Sequence, residues 1–428
     1  MSAIAERRVD AVQAGVGPGG TAFWLTVDRL RERGDSRVEI FSKSNILVFE
    51  KSSPYKVGVG YLDQFPGVKT NSDGYDLMAN LSEAVKRALL RTEIGRKIQA
   101  EGRAPVTLKD AVQLQREKGT IVRGVLGQRL IAGVEVAKIV EAKQRGAPTY
   151  FIVDTNNRTV ETDLVIASIG AREGLDPELG TKELRGKTVL AESILGYGKK
   201  ADEDRDRLRK ARTAVIAGVN HSGALVTRFA LDESDARVTL VTRGDLRVHS
   251  KSAEDAIAAG LPVTEESLAD DPDGKQPWRI SGARGVAGAT VKAIILGQYV
   301  DRITHIRGSY QDVPGELKEA DVIIQCTGLK ANIIPFFRDG DRSPVEYLRR
   351  DGKLVVTPDG NPYIASSSGV YAPVEQLFHV GMGSHCEEDP VPHAINFYEG
   401  SVGERRVLAV ARALERAQIN RQAEKAIA

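Results

Sequence analysis

Residues 9–25 read VDAVQAGVGPGGTAFWL, and this stretch decides the expected fold. A predicted strand over residues 10–14 runs into a turn with glycines at Gly15, Gly17 and Gly20, and a helical pattern follows. In such a turn the first glycine permits a tight bend, the second lets the backbone approach a pyrophosphate, and the third lets helix and strand pack closely. The N–H groups that begin the helix then face the phosphates. The spacing predicts a dinucleotide-binding turn.

An acidic side chain should end the next strand of such a unit, where it binds a ribose hydroxyl. The β-rich run over residues 45–50 ends in Glu50, which lies 30 residues after Gly20. A rival strand over residues 37–41 contains Glu39, but this carboxylate stands inside the run and not at its end. We therefore expect Glu50 to be the ribose-binding acid, with an insertion before its strand.

A second stretch repeats this pattern in the middle of the chain. Residues 213–224 read TAVIAGVNHSGA, an apolar run followed by a glycine turn. Gly218 and Gly223 hold the outer glycine positions, and Asn220 replaces the middle glycine. Asparagine tolerates left-handed backbone angles better than most residues. We therefore predict a second nucleotide-binding turn here.

The charge after the next strand differs between the two units. Residues 237–242 form a β-rich run, and Arg243 follows it, 20 residues after Gly223. A cation in place of an acid suits the 2′-phosphate of NADP, and Arg247 lies close enough in sequence to assist. A solvated surface cation is the alternative for Arg243, because arginines are mostly exposed. The pattern favours NADPH.

Composition excludes several other classes of protein. The chain has 428 residues, of which 41% are hydrophobic, and 60 basic against 58 acidic residues leave a net charge of +2. That near balance offers no basic field for nucleic acid. The two cysteines, Cys326 and Cys386, are too few for a disulfide scaffold and fit a reducing, cytoplasmic setting. We find no run of about 18 apolar residues, so no membrane segment is expected.

The segments around the two turns predict the rest of each unit. Apolar strands are expected over residues 163–169 and 321–327, and each is closed by a glycine, Gly170 in the first case and Gly328 in the second. Residues 75–117 are rich in Leu, Ala, Lys, Arg and Glu and are expected to be mostly helical. Short antiparallel strands are expected over 134–141, 149–155 and 158–161.

On these motifs the chain resembles flavoproteins with two dinucleotide-binding domains, and the resemblance covers most of its length. It implies an α/β fold with two Rossmann-like three-layer domains, the NAD(P) domain being inserted into a discontinuous FAD domain. FAD would bind at the first glycine turn and NADPH at the second. The implied domains are 1–172 and 330–428 for the two parts of the FAD domain, with the helical insertion at 75–117, and 173–329 for the NAD(P) domain.

The C-terminal part contains the last element that the resemblance implies. Residues 369–383 resemble the family strand that meets the ribityl and phosphate groups of the flavin, with Gly381 and Gly383 at its end. The family often has a Gly-Asp pair there, and this chain lacks the acid. A helix is expected over about 393–414, with its positive dipole end directed at the flavin pyrimidine ring.

The resemblance also suggests residues near the reacting groups. Residues 65–78 resemble the Thr-Asn-Ser segment of class B flavin monooxygenases, which implies that Asn71 lies near the isoalloxazine. An ordinary Asx turn is the alternative for Asn71. His385 and His393 are expected to line the flavin or substrate pocket. Their spacing matches no metal-binding motif, so no metal is expected.

The implied activity is that of an FAD- and NADPH-dependent monooxygenase. It would hydroxylate a small molecule at the nitrogen of an amine or amino acid, through a C4a-(hydro)peroxyflavin. The N-hydroxylating branch is preferred because the Phe-x-Gly-x-x-x-His fingerprint of other branches is not evident. The expected partners are a small-molecule substrate and O2, without nucleic acid or membrane, and the superfamily often forms homo-oligomers. Two alternatives are an NAD(P)H-dependent flavin dehydrogenase or electron-transfer reductase, and a non-catalytic flavin- or nucleotide-binding protein.

Overall fold

The strands of the described residues form two parallel sheets, one mixed sheet and several small ones. A computed structural model describes residues 7–57, 69–102, 105–142, 148–196, 198–219, 221–250, 252–263, 282–283, 285–350, 352–366, 368–381, 384–386 and 400–427. No helix in these ranges is both long enough and apolar enough to span a bilayer.

The first parallel sheet joins the two ends of the chain. Its strands lie in the order Leu377–His379, Val165–Ala167, Ala11–Ala14, Ile46–Glu50 and Leu130–Ala132, and all neighbouring pairs are parallel. The strand from the C-terminal part therefore completes a sheet that the N-terminal part begins. This topology confirms the predicted α/β fold, in which one unit is inserted into another.

The strands of this sheet are buried on both faces. Ile46 and Val48 belong to the core on the helical side, whereas Leu47 and Phe49 belong to the core on the opposite side. This burial explains why the strand is a continuous apolar run. The opposite face packs on the mixed sheet, in which the three central strands are antiparallel and each edge strand is parallel to its neighbour. Its order is Arg7–Val9, Thr159–Thr162, Thr149–Asp154, Val136–Ala142 and Phe336–Arg338. The first unit thus has three layers, as predicted.

Two long elements cover the helical face. The helix Pro18–Glu32 begins with a proline in its first turn, where the missing N–H is harmless, and Gly34 follows it with a positive φ. The C-terminal helix is Ser401–Ile427. The predicted end at residue 414 is wrong, because Arg421 forms ion pairs with Asp10 and Asp163 and holds the polar last turns on the first unit. The predicted start near residue 393 lies outside the described residues.

The segment over residues 75–117 is mostly helical, as its composition predicted, and its role as an insertion stays a prediction. Ser82, Thr92 and Thr107 each accept a hydrogen bond from a backbone N–H in the first turn of the helix that follows. One short strand, Pro105–Thr107, pairs with Lys69–Asp73. The helices are Gly74–Ala79, Glu83–Leu90, Glu93–Glu101 and Leu108–Leu126.

The second parallel sheet lies wholly between the two parts of the first unit in sequence. Helices that include His221–Glu233 and Lys199–Lys210 cover one face, and Pro314–Glu319 packs on the other. Its five parallel strands lie in the order Thr188–Leu190, Val322–Gln325, Thr213–Ala217, Arg237–Thr242 and Ile303–Arg307.

The smaller elements complete the chain. The preference for the strand that ends in Glu50 over the rival at residues 37–41 is confirmed, because Ser36–Glu39 is a 3-10 turn and Ile40–Lys43 a helical turn. The predicted antiparallel strands are confirmed, with ends shifted by one or two residues. Further helices are Lys182–Arg185, Ala191–Leu195, Ala253–Ala258 and Gly285–Ile295, and 3-10 turns are Pro54–Lys56, Gly127–Arg129 and Tyr310–Asp312. One small sheet contains the strands Arg349–Arg350, Lys353–Val355 and Ser384–His385. Another contains Tyr363–Ala365 and Tyr371–Pro373.

The chain crosses between the units twice, and the two crossings pair with each other. The strand Ala171–Arg172 runs antiparallel to Lys330–Ala331.

Glu173 follows the first crossing and is buried, and its carboxylate accepts a 2.8 Å hydrogen bond from the backbone N–H of Glu192. Loss of water contact raises the pKa of Glu173 to about 7.

Replacing Glu173 with glutamine is expected to stabilise the protein at high pH. The folded state keeps a proton on Glu173 up to about pH 7, whereas the unfolded chain, with an ordinary pKa near 4.5, has already lost it. Stability from this group is therefore present at low pH and is lost as the pH rises from about 4.5 to 7. Glu173→Gln should raise the free energy of unfolding at pH 8 by about 1–3 kcal/mol and leave it nearly unchanged at pH 4. Urea unfolding at both pH values measures this, with the exposed Glu183→Gln as control. Equal effects of the two substitutions would contradict the assignment.

Candidate functional site

The first glycine turn brings two strand ends into backbone contact. Gly15 has a φ of +88°, and a Cβ on it would lie 2.6 Å from the carbonyl oxygen of Ser168. A Cβ on Gly20 would lie 2.7 Å from the carbonyl oxygen of Gly15. Both glycines are therefore required by the fold itself, as the sequence predicted for a tight turn and a close helix-to-strand contact.

A buried amide holds this turn in place. Gln13 is completely buried, and its Nε2 donates to the carbonyl oxygen of Gly15 at 3.1 Å and to Ser168 Oγ at 3.3 Å. Trp24 Nε1 donates to Gln13 Oε1 at 2.8 Å. Sequence reasoning missed Gln13, although a polar side chain inside an apolar strand is a recognisable signal.

The middle glycine has a different environment, because it faces open space. Gly17 precedes the helix Pro18–Glu32. Among the described residues no side chain caps that helix, and a Cβ on Gly17 would meet none of their atoms within 4 Å. The N–H groups of the first helical turn lack helical acceptors and carry the positive end of the dipole. Packing against the described residues therefore does not require glycine at this position, whereas the approach of an anionic ligand would.

The acid predicted from the sequence lies at the same turn. Glu50 ends its strand and is 8% exposed. Its Oε2 accepts a hydrogen bond from the N–H of Val16 at 2.7 Å, and its Oε1 accepts one from the N–H of Ser52 at 2.9 Å. A carboxylate has about four acceptor sites, so two remain for hydroxyl groups. The structure thus brings Glu50 and the glycine turn together.

The second glycine turn has the same backbone geometry as the first. Gly218 has a φ of +89°, and a Cβ on it would lie 2.5 Å from the carbonyl oxygen of Cys326. A Cβ on Gly223 would collide with the carbonyl oxygen of Gly218. Cys326 therefore has the role that Ser168 has in the first unit. Asn220 lies outside the described residues.

The two closing glycines occupy matching places two residues after these carbonyl groups. Gly170 has a φ of +70° and Gly328 a φ of +92°, values that favour glycine over other residues. A Cβ built on either glycine would meet no atom of the described residues within 4 Å. Glycine is therefore favoured at these two positions by the backbone conformation alone.

A cationic edge follows the strand Arg237–Thr242 of the second unit. Arg243 is exposed directly after the strand, and the register Thr242↔Arg307 places Arg307 on the neighbouring strand beside it. The Nη1 atom of Arg307 also lies 3.4 Å from the Oδ1 atom of Asp245. Arg247 lies further along the same loop, where its carbonyl oxygen accepts the N–H of Ala283 at 3.0 Å. Sequence reasoning missed Arg307, because only strand register brings it here.

A histidine also joins this edge and was not predicted. The hydroxyl of Thr242 donates to the carbonyl oxygen of Gly244 at 2.6 Å, so its oxygen accepts from His305 Nε2 at 2.7 Å. Burial lowers the pKa of His305, and the nearby Asp245 partly opposes that effect. His305 is therefore a neutral hydrogen-bond donor at neutral pH.

The remaining predicted site residues fall where side chains are not described. Asn71 belongs to the strand Lys69–Asp73, which lies beside the helix Gly285–Ile295 of the second unit. His385 belongs to the short strand Ser384–His385, which pairs with Lys353–Val355. Nothing is described of these two side chains, and His393 and Gly383 lie outside the described residues. Their roles stay predictions.

Gly381 does meet the first turn. A Cβ on Gly19, in the first turn of the helix Pro18–Glu32, would lie 3.2 Å from the Cα of Gly381 and 3.1 Å from the carbonyl oxygen of Val380. The C-terminal strand therefore ends directly at the start of the first helix.

Comparison with known proteins identifies the fold. No protein-family model and no curated protein sequence matches the chain. A solved structure of ornithine N-hydroxylase from Kutzneria sp. 744, with reduced FAD, NADP+ and L-ornithine, is 14% identical, with a TM-score of 0.59, over 96% of this chain and 100% of that one. Reduced ornithine hydroxylase from Pseudomonas aeruginosa is 12% identical, with a TM-score of 0.58, over 95% and 99%. Bacillithiol disulfide reductase from Staphylococcus aureus is 11% identical, with a TM-score of 0.51, over 95% and 98%.

These likenesses extend over almost the whole chain and over almost the whole of each neighbour. They agree with the two parallel sheets, the inserted second unit and the returning C-terminal strand. The chain therefore shares the fold of these proteins, with one α/β unit inserted into another, which confirms the fold that the sequence predicted.

Alanine substitutions at Gly15 and Gly170 are expected to lower the free energy of unfolding by different amounts. Both positions have a positive φ, which costs a non-glycine residue about 1–2 kcal/mol. Gly15→Ala also forces its Cβ against the Ser168 carbonyl group and should lower the free energy of unfolding by about 2–4 kcal/mol. Gly170→Ala, which meets no other group, should cost about 1 kcal/mol. Urea denaturation of the two variants tests this order, and equal losses would contradict it.

Proposed function

We propose that this chain is an FAD- and NADPH-dependent monooxygenase that hydroxylates the nitrogen of a small amine or amino acid. The main support is the pair of equivalent glycine turns, one at Gly15 against Ser168 and one at Gly218 against Cys326. Each stands at the carboxyl end of a parallel sheet, where dinucleotides bind. The hydroxylases with this fold act on ornithine, which is both an amine and an amino acid.

The proposed domains follow the two crossings of the chain. Residues 1–172 and 330–428 would form the FAD domain, and residues 173–329 the NADPH domain. The antiparallel pair formed by Ala171–Arg172 and Lys330–Ala331 supports these bounds, because it contains both connections between the two parallel sheets.

The first unit would bind FAD, and its residues suit each part of that cofactor. The open N-terminus of the helix Pro18–Glu32 suits the pyrophosphate, and Gly17 leaves room for it. The two free acceptor sites of Glu50 suit the hydroxyls of a ribose. When bound, FAD would supply the group that takes a hydride from NADPH and then reacts with O2. The residues assigned to FAD are Gly15, Gly17, Gly20, Glu50, Gly170, Gly381 and Gly383.

The second unit would bind NADPH through its own turn and the cationic edge. Arg243 and Arg307, on adjacent strand ends, would hold the 2′-phosphate, and Arg247 would assist. Asp245 pairs with Arg307 and would orient its guanidinium group. The remaining residues assigned to NADPH are Gly218, Asn220, Gly223 and Gly328.

The cysteines disfavour a disulfide reductase, although one such enzyme shares the fold. Cys326 and Cys386 are both buried. Burial raises the pKa of the Cys326 thiol well above its usual range. The backbone carbonyl group of Cys326 packs against Gly218, which fixes the residue in the second glycine turn. Thiol–disulfide exchange requires an accessible thiolate. The electrons of NADPH would therefore pass to an acceptor other than a disulfide.

The substrate would bind between the two units. Asn71 is assigned to the reacting face, and the position of its strand beside the helix Gly285–Ile295 supports this assignment. His385 and His393 are assigned to the lining of the same pocket. In this mechanism the protein contributes mainly placement of the amine and exclusion of water, and little acid–base chemistry. A homo-oligomer is part of the proposal.

The proposal is tested by the fate of oxygen. The protein is incubated under 18O2 with FAD, NADPH and small amines such as ornithine, lysine and cadaverine. The masses of the products are measured by mass spectrometry. The expected result is an amine product that contains one 18O atom per NADPH consumed. NADPH oxidation that yields only hydrogen peroxide or reduces an added electron acceptor would instead indicate a flavin reductase. A protein that binds FAD but consumes no NADPH would indicate a non-catalytic binding protein.

Gly17→Ala separates cofactor binding from folding. A Cβ at this position meets no atom within 4 Å in the part of the chain that the structure describes, and the backbone angles suit alanine, so the apoprotein should keep its stability within about 0.5 kcal/mol. The same Cβ would project toward the pyrophosphate, so FAD affinity should fall at least about tenfold. Fluorescence titration with FAD and urea unfolding of the apoprotein measure the two effects. Unchanged FAD affinity would contradict the assignment of this turn.

Arg243→Gln tests the preference for NADPH. Loss of a charged partner of the 2′-phosphate should raise KM for NADPH by about tenfold or more and leave KM for NADH nearly unchanged, since NADH lacks that phosphate. Steady-state kinetics with each nucleotide checks this, with the exposed Arg237→Gln at the other end of the same strand as control. A similar rise for both nucleotides would place Arg243 away from the phosphate.

A further inference from the structure

The two connections between the units form a ribbon of two short strands. Ala171–Arg172 leads the chain into the second unit, and Lys330–Ala331 leads it back into the first. A two-stranded ribbon is by itself only marginally stable, so it would bend easily. Groups that hold the two ends of this ribbon would therefore limit how far the units can turn relative to each other.

At the end nearer the second unit, one buried amide holds both connections. Gln325 ends a strand of the second sheet and is completely buried. Its Nε2 donates to the carbonyl oxygen of Gly174 at 2.8 Å and to Thr327 Oγ1 at 3.0 Å, and its Oε1 accepts from the N–H of Asp176 at 2.7 Å. Gly174 and Asp176 belong to the outgoing connection, and Thr327 belongs to the returning one. Both donors and the oxygen of this amide are thus used to join the two connections.

At the end nearer the first unit, a second amide has an equivalent place. Asn332 directly follows the returning strand. Its Nδ2 donates to the carbonyl oxygen of Ile169 at 2.9 Å, and its backbone N–H donates to the carbonyl oxygen of Gly170 at 3.0 Å. Ile169 and Gly170 directly precede the outgoing strand. The ribbon is therefore bound at each end by one amide side chain.

The two amides also lie next to the carbonyl groups that pack against the glycine turns. The glutamine directly precedes Cys326, whose carbonyl oxygen packs against Gly218. The asparagine binds the carbonyl group of Ile169, and the carbonyl oxygen of the residue before it packs against Gly15. Hydrogen bonds and backbone contacts thus form a continuous path from the second glycine turn, through the ribbon, to the first.

The proposed reaction depends on the angle between the two units. A hydride passes from NADPH to FAD only when the nicotinamide and flavin rings meet, with the reacting atoms about 3–3.5 Å apart. A misplacement of about 1 Å can slow such a step by about a hundredfold. If each nucleotide binds at its own glycine turn, the orientation of the units decides whether the rings meet.

We propose that Gln325 and Asn332 are positioning residues that hold the two units in one relative orientation, so that a nicotinamide bound by the second unit meets a flavin bound by the first. The inference rests on the proposed function, because it requires a nucleotide at each turn. Neither side chain needs to touch a nucleotide in this role. Loss of either amide should leave both nucleotide sites intact and slow the transfer between them.

The experiment compares variants of the two amides with a variant that is only less stable. Gln325→Met and Asn332→Leu replace each amide with an apolar side chain of similar size. Leu208→Ala is the control, because it removes a completely buried side chain from the helix Lys199–Lys210 of the second unit. Circular dichroism and urea unfolding of each apoprotein report folding and stability.

The orientation is measured directly on the apoprotein. One spin label is attached to the first unit through Lys43→Cys and another to the second unit through Asp235→Cys, since both positions are exposed. The two native cysteines are buried. Pulsed electron paramagnetic resonance gives the distribution of distances between the labels. The distribution should become wider in Gln325→Met and in Asn332→Leu, and it should stay as narrow as in the parent protein in Leu208→Ala.

The consequence for transfer is measured by anaerobic stopped-flow reduction of the FAD-loaded protein. A series of NADPH concentrations separates the limiting rate of flavin reduction from the Kd for NADPH. The limiting rate should fall at least about tenfold in each amide variant, because the rings no longer meet in one geometry. The Kd values for NADPH and for FAD should stay nearly unchanged. Leu208→Ala should keep the limiting rate of the parent protein.

The combination of the two measurements decides the inference. An amide variant with an unchanged distance distribution, or with a wider distribution and an unchanged limiting rate, would overturn it. If Gln325→Met does not fold, Asn332→Leu decides in the same way, since Asn332 is only half-buried. A parent protein that binds no FAD, or whose FAD is not reduced by NADPH, would contradict the proposed function itself. A parent protein that is reduced normally, with amide variants that behave like it, would contradict this inference alone.

Discussion

The architecture depends on backbone contact at two glycine turns. At Gly15 and at Gly218 the strand that begins a unit approaches the carbonyl group that ends its neighbouring strand, at Ser168 and Cys326, so closely that no side chain fits between them. This contact fixes the direction in which the following helix leaves the sheet. The helix start, with its unsatisfied N–H groups, is thereby directed over the carboxyl edge of the sheet. The proposed anion binding at this edge would thus be a consequence of the same geometry that packs the sheet.

The second constraint is that the first unit is completed by the far end of the chain. The strand Leu377–His379 pairs with Val165–Ala167 although the entire second unit lies between them in sequence. The C-terminal helix then fixes this return, since Arg421 pairs with Asp10 and Asp163 of the first unit. The candidate flavin site consequently contains residues from both ends of the chain, which explains how Gly19 and Gly381 come to touch.

The sequence predicted those features that local spacing determines and missed those that distant contacts determine. The glycine turns and the strand end at Glu50 follow from spacing and are present in the structure. The end of the C-terminal helix was predicted too early, because Arg421 forms ion pairs with two residues that lie far away in sequence, Asp10 and Asp163. Arg307 and Gln13 were missed because strand register and packing, not spacing, give them their positions. Asn71, His385 and His393 stay predictions, because a family resemblance supports them and described side-chain contacts do not.

The most direct test of this account is a comparison of FAD with FMN as ligands of the purified apoprotein. FMN contains the flavin and one phosphate but lacks the adenosine half, whose ribose Glu50 would bind. Absorbance titration at increasing concentrations of each flavin gives the stoichiometry and the affinity. The account predicts one FAD per chain and an affinity for FMN at least a hundredfold weaker. Equal affinities for the two flavins, or no binding of either, would contradict the claim that the first glycine turn holds a flavin dinucleotide.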